Sequence, residues 1–281
     1  MGKVEKLINE MDKLLNIINS KIHQMLVLIC LLTISSISQA QKIDHIKKYA
    51  VCYAKITPQE TSGFELLILD PDIYTKDEIL DFKKRGVKTI AYLNIAEFET
   101  YRKPALPESI IISKNPLWEG HFYVDINSRA WEDYIFFDRI PKIISKEFDG
   151  FFIDMVDIVS IFPNFEDKII DYIKRIKIQN DDKILIINNG WVLLDTLKSF
   201  ADAFLIEGLF TRYDFKTKRY FVRFEKEYKD RVEILKKLGK KIFTLDFLPE
   251  NDKRKYFVKS LSLKYGFTPY ISTIELNKIY R

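Results

Sequence analysis

Sulfur and imidazole are what this chain has least of. Of its two cysteines, Cys30 lies in an apolar N-terminal run and Cys52 lies beyond it. Once that run is removed, no intramolecular disulfide is possible. Ile29 is not the small residue that precedes a lipidated cysteine, and Cys52 reads as a small buried strand residue. Only His45 and His121 follow residue 40, too few for a histidine metal cluster. A calcium site drawn from Asp154, Asp157 and Asn188 is the one metal alternative; the reading here is no metal and no cofactor. Glycine is thin as well: residues 53–63 hold only Gly63, so the glycine-rich first turn of a dinucleotide fold is absent. No serine elbow or phosphate loop occurs. Basic residues number 45 against 40 acidic ones, interspersed rather than blocked. That pattern describes a mixed solvated surface and offers no nucleic-acid arm.

What is present first is an export signal. An apolar run, 25–34, follows Lys21, and Ser38-Gln39-Ala40 places small residues at minus three and minus one of a cleavage site. The run is short for a bilayer span. Residues 1–40 are therefore expected to be a leader and 41–281 the mature domain, exported to the periplasm, the cell surface or the medium. No membrane span is expected after leader removal. Translation from Met1 or from Met25 stays open.

The chain as a whole is 47% apolar, enough for one large core. Strand-like segments fall at 49–56, 66–70, 87–94, 150–155, 183–188, 203–206, 241–246 and 267–271. Helix-like segments fall between them, at 76–85, 129–148, 164–179, 192–200, 217–238 and 252–265, three of them closed by Gly86, Gly239 and Gly266. The stretch 95–128 is a long excursion with three prolines. Eight strands alternating with helices over about 240 residues match a single-domain α/β protein, a (β/α)8 TIM barrel. A doubly wound open sheet is the alternative.

The strand tips carry the chemistry. Gly150-Phe-Phe-Ile-Asp154-Met-Val-Asp157 is an apolar run that ends in two acids. A carboxylate there is costly to bury unless it is paired or used. Lys55, Asp70, Asn94, Glu97, Asn188, Asn189, Glu207 and Asp246 fall at the other strand ends, and in a barrel all converge on one face. An acidic mouth on a basic protein suits a cationic or heavily hydroxylated ligand. Alternation turns Phe152 and Asp154 to one side of their strand, and Leu205 and Glu207 to one side of theirs. Two facing carboxyls are the minimum apparatus for glycosidic cleavage. Glu207, beside Phe204, Leu205 and Leu209, is the expected proton donor, and Asp154 the nucleophile or, at larger separation, the base. Structural ion pairs are the alternative for both. Tyr92, Tyr101, Trp118, Phe122, Tyr123, Trp191 and Tyr213 could stack on sugar faces, with Trp118 and Trp191 foremost. His121 reads as a surface residue that could touch substrate.

The order of these motifs is familiar. Tyr92-Leu-Asn-Ile-Ala-Glu97, Tyr101-Arg102, Trp118-Glu-Gly-His-Phe-Tyr-Val-Asp125, Trp131, Asp149-Gly-Phe-Phe-Ile-Asp154-Met-Val-Asp157, Ile187-Asn-Asn-Gly190 and Glu207 follow one another. From Tyr49 to the C-terminus the chain resembles glycoside hydrolase family 114, the endo-α-1,4-polygalactosaminidase-like TIM barrels. The resemblance implies a secreted hydrolase of α-1,4-linked galactosamine polymers. It places the family's catalytic Asp at Asp154 and its Glu at Glu207, with Asp70, Glu97, Tyr101 and Arg102 lining the cleft. Ala96 stands where many relatives have glycine. The candidate substrate-binding set is Asp70, Asn94, Glu97, Tyr101, Arg102, Trp118, Asp157, Asn189, Trp191 and Asp246. The competing function is a carbohydrate-binding protein that keeps the cleft without turnover.

Overall fold

Eight parallel strands, several of them ending at or next to a polar residue, form the core of the described chain. A computed structural model describes residues 43–102 and 105–280, with Gly2, Lys21 and Ile22. Apart from those three residues, the expected leader over 1–40 lies outside the described residues. Residues 1–44 and 45–281 separate as two units, and among the described residues every strand belongs to the second. Among the described residues no helix is long and apolar enough to cross a membrane.

The strands are β1 (Tyr49–Cys52), β2 (Leu66–Leu69), β3 (Lys88–Asn94), β4 (Glu97–Glu99), β5 (Ile111–Lys114) and β6 (His121–Val124). They continue as β7 (Gly150–Asp154), β8 (Ile184–Asn188), β9 (Ala203–Glu207), β10 (Thr211–Asp214), β11 (Arg219–Val222), β12 (Lys241–Phe247) and β13 (Thr268–Ser272). Eight of them form one parallel sheet in the order β1-β2-β3-β7-β8-β9-β12-β13. Its ends curl together: the Tyr49 and Tyr270 rings, on β1 and β13, lie 5.6 Å apart, and Tyr53 N donates to Leu276 O across 2.8 Å. This is the TIM barrel.

β7 shows why the sequence folds so. Phe151, Phe152 and Ile153 are fully buried, each contributing about 2 kcal/mol of apolar transfer. Gly150 is required by packing, because a Cβ there would sit 2.1 Å from Ile184 O on β8. Polarity begins only at Asp154, the first residue of the strand that is not fully buried.

Helices α1 (Lys76–Lys84), α2 (Arg129–Asp133), α3 (Ile140–Ser145), α4 (Glu166–Gln179), α5 (Leu194–Leu197), α6 (Glu225–Lys237) and α7 (Arg254–Lys264) surround the barrel strands. Thr75 and Glu78 box the start of α1, with Thr75 N donating to Glu78 Oε2 across 2.8 Å. Between α2 and α3 the backbone widens into a π segment, Tyr134–Arg139. Pro141, with no N–H to donate, follows at the start of α3, and the helix expected over 129–148 runs from 129 to 145 with this π turn within it.

Two further expectations change. The excursion after β3 is ordered as a three-stranded antiparallel sheet, β4-β6-β5. The helix expected from 217 begins only at Glu225, because 211–222 is the hairpin β10–β11. Asp214 Oδ1 accepts from Lys216 N and Thr217 N at 2.9 and 3.0 Å, turning the chain where a helix would have started. Arg-Tyr-Phe-Val then pairs back as a strand.

Candidate active site

The strand tips enclose a cavity of about 330 Å³. Asp154, ending β7, is held at both oxygens. Its Oδ1 accepts from Met155 N at 2.7 Å and from Asn188 Nδ2 at 2.8 Å, and its Oδ2 from the Tyr92 hydroxyl at 3.0 Å. Met155 takes φ +66 directly after it, so the chain turns away and leaves the carboxyl at the mouth. Glu207, ending β9, accepts at Oε1 from the same Asn188 Nδ2 across 2.9 Å. Its own N–H donates to Asn189 Oδ1 at 3.1 Å.

Asn188 is thus a spacer. One amide nitrogen touches both carboxyls, so their nearest oxygens lie no farther apart than the two bonds laid end to end, about 5.7 Å. The lateral order β7-β8-β9 makes this possible, because β8 places its last residue between the two acids.

Their protonation differs. Burial, then the charge of Asp154, pushes Glu207 up to about 7, against the opposing Asn188 bond. Burial also raises Asp154, but bonds from Asn188, Met155 N and Tyr92 hold it back. Of the pair, Glu207 is therefore suited to carry the proton and Asp154 to be the anion.

The wall beyond them is acidic. Arg102 Nη1 and Nη2 reach Asp70 at 3.0 and 3.2 Å, and Arg102 also binds Glu99 and Asp72. Its single charge is spent on three carboxylates. His121 Nδ1 meets Glu97 Oε2 at 2.9 Å. Burial lowers the imidazole pKa, yet the Glu97 bond and the charges of Glu99, Glu97 and Asp154 outweigh it and the net shift is upward. Asp157 lines the floor, and its Oδ1 accepts from Trp191 N at 2.9 Å. Seven acids line the cavity (Asp70, Glu97, Glu99, Asp154, Asp157, Glu207 and Glu275) against Arg102 and His121. Among the described residues no three His, Cys, Asp or Glu side chains are grouped to hold a metal ion.

Asp70, Glu97, Tyr101, Arg102, Trp118, Asp157 and Asn189 of the expected set line this cavity together with Asp154 and Glu207. Three others do not. Asn94 is buried, and its Oδ1 caps Ala96 N and Glu97 N at 3.1 and 2.9 Å, shaping the turn into β4. Trp191 packs under the Arg231 guanidinium, 5.1 Å from its ring centre. Asp246 is 1% exposed, and its Oδ1 accepts from Phe210 N, Thr211 N and Thr211 Oγ1 at 2.8 to 3.0 Å. It anchors the base of the β10–β11 hairpin. Sequence reasoning gave Asn188 no catalytic role and treated Tyr92 as a stacking ring. Tyr53, Glu99, Phe247, Ile274, Glu275 and Leu276 also line the cavity without having been singled out. For Asn188 a signal existed, a strand-end amide between two acid-tipped strands.

The protein belongs to glycoside-hydrolase family GH114, whose sequence model matches residues 36–281, and it is thereby a glycosidase. An uncharacterized protein of Methanocaldococcus jannaschii is 26% identical over 291 residues, covering 85% of this chain and 81% of that one. The glycoside hydrolase domain of PelA from Pseudomonas aeruginosa shares the fold at a TM-score of 0.73, with 18% identity over 83% of this chain and 97% of that one. Aspergillus fumigatus Ega3, solved in complex with galactosamine, aligns at a TM-score of 0.67, with 16% identity over 84% and 95% of the two chains.

Proposed function

We propose that this protein is an exported glycoside hydrolase that cleaves galactosamine-containing polysaccharide, α-1,4-linked and cationic, with retention of configuration. The observation that carries the mechanism is the shared Asn188 amide. It keeps the nearest oxygens of the two carboxyls within about 5.7 Å, which favours the retaining separation of about 5–5.5 Å over the inverting range of about 6.5–9.5 Å. Glu207 donates its proton to the glycosidic oxygen while Asp154 attacks the anomeric carbon. The C–O bond breaks, the leaving sugar departs with that proton, and a glycosyl ester forms on Asp154. Glu207, now ionised, takes a proton from water, whose oxygen attacks the anomeric carbon and frees Asp154. The buried site suits this division of labour, since a raised acid pKa keeps the donor loaded near neutrality.

The substrate class rests on the excess of carboxylates in the cleft, on membership of the family, and on the galactosamine seen with Ega3. A cleft rich in carboxylates attracts sugars bearing ammonium groups. Export rests on the leader-like run before Ser38-Gln39-Ala40.

The test is hydrolysis of deacetylated α-1,4-galactosaminan by wild type, Asp154→Asn and Glu207→Gln, with product anomers followed by NMR. Each variant is expected to lose about 10³-fold in kcat, and wild type to release the α-anomer first. Full activity in both variants refutes the catalytic assignment. Tight binding by wild type without chain shortening makes the protein a binding module instead.

A further inference from the structure

Two excursions meet above the cleft. Trp118 is carried by the 95–128 excursion after β3, and Phe215 by the turn of the β10–β11 hairpin after β9. Their rings touch edge to face, with centres 5.2 Å apart and planes at 82°. In the barrel β3 and β9 are separated by β7 and β8 on the shorter way round. The two loops thus rise from strands on either side of β7 and β8, next to whose tips Asp154, Asp157, Asn188 and Asn189 line the cavity. Trp118 lines that cavity itself.

We propose that the Trp118–Phe215 contact is a bridge across the cleft that selects substrates by length: chain ends and short oligomers enter beside it, and an internal polymer segment enters only when the two rings part. This rests on the glycosidase reading above and concerns how the polymer gains access, not the chemistry.

Both abutments are firmly held. Asp246 pins the hairpin base through three bonds, and Arg223 Nε donates to Gly208 O and Thr211 O, each at 3.0 Å. The hairpin flank is held through Tyr220, whose hydroxyl accepts from Ile274 N at 3.3 Å, and the Tyr213 ring links Tyr220 to Phe215 at 4.7 and 5.0 Å. Across the cleft, Thr100 N donates to Gly120 O at 3.0 Å, and Leu117 N to Asn115 Oδ1 at 2.8 Å. Gly120 has φ +79, and a Cβ there would meet Thr100 Oγ1 at 2.7 Å, so a larger residue would strain this turn and displace the Thr100 side chain. The joint between these abutments is a ring edge with Trp118 41% exposed. A solvent-exposed ring contact is weaker than the sets of hydrogen bonds on either side, so an entering chain opens the bridge there.

The experiment compares kcat/KM on high-molecular-weight α-1,4-galactosaminan and on its tetramer for wild type, Phe215→Ala and Phe215→Tyr. Phe215→Ala is expected to raise the polymer-to-tetramer ratio about two- to tenfold, the range that loss of one ring contact gives, chiefly through polymer KM. Phe215→Tyr, which keeps the ring, is expected to hold the wild-type ratio. An unchanged ratio in an active Phe215→Ala enzyme overturns the bridge and leaves the glycosidase reading standing. A wild type that cuts neither substrate overturns the substrate assignment and the bridge with it. Should Phe215→Ala fail to fold, Phe215→Leu replaces it, and a wild-type ratio there counts against the bridge.

Discussion

The side-chain amide of Asn188 stands 2.9 Å from Glu207 Oε1 while the same nitrogen reaches Asp154. It spans the acid pair and opposes the upward pKa shift that burial gives each member. Its bond lowers the Glu207 pKa against burial and the Asp154 charge.

Removing that amide has a directional consequence. In Asn188→Ala, Glu207 loses the donor that opposes its upward shift, so the descending limb of the pH–kcat/KM profile moves to higher pH. A hydrogen bond to a charged group is worth about 1.5–3 kcal/mol, which corresponds to about one to two pH units. A profile recorded from acid to alkaline pH checks this. A limb that stays in place while kcat falls would mean that Asn188 only spaces the carboxyls.

For wild type the profile is expected to be bell-shaped. Glu207 must hold its proton, so activity falls as pH rises through about 7. Asp154 must be ionised, so activity falls again on the acid side, at a pH above the ordinary Asp range because burial raises that group. The two limbs belong to the coupled pair rather than to either residue alone. A flat profile through neutrality excludes Glu207 as the acid.

Asp246 offers a stability test separate from catalysis. Burial pushes it up to about 6 against the bonds it accepts from Phe210 and Thr211. Between the ordinary Asp value and about 6, the folded state therefore binds more protons than the unfolded one. This group's contribution is largest at low pH and declines as pH rises through that window. Asp246→Asn keeps the Oδ1 acceptor and removes the titration. Its Tm should rise relative to wild type as pH goes from about 4 to about 6, read by thermal melts. A Tm difference independent of pH counts against it.

Gly150 tests the barrel wall under Asp154. A methyl group there would be driven into Ile184 O on β8. Gly150→Ala is expected to cost about 3 kcal/mol, seen as a lower urea midpoint. A midpoint within error of wild type would show that β7 and β8 can part at little cost.

How much of the molecule is legible in its residues depends on the range of the forces involved. The β7 run and its terminal acid are local statements. Phe-Phe-Ile must be covered on both faces, and an acid is tolerable only where the cover ends. The glycine after α1 and those after α6 and α7 are equally local, because positive φ at Gly86, Gly239 and Gly266 is a property of the single residue. Eight such alternations leave a closed parallel barrel as the economical arrangement. The pairing of Asp154 with Glu207 also begins from alternation along each strand.

Other features depend on neighbours that are distant in the chain. The acids Asp154 and Asp246 look alike as strand tips. One opens into the cavity and the other is consumed by the backbone of a hairpin that the helical period of 217–238 concealed. Trp118 and Trp191 look alike as loop aromatics. Trp118 lines the cleft and meets Phe215, whereas Trp191 is covered by Arg231. Asn188 acquires its role only because β8 lies between β7 and β9. Strand sequence and burial can be read from residue patterns. Which polar group faces which other is decided by lateral strand order and by loops that cross the mouth, and only the folded barrel contains that information.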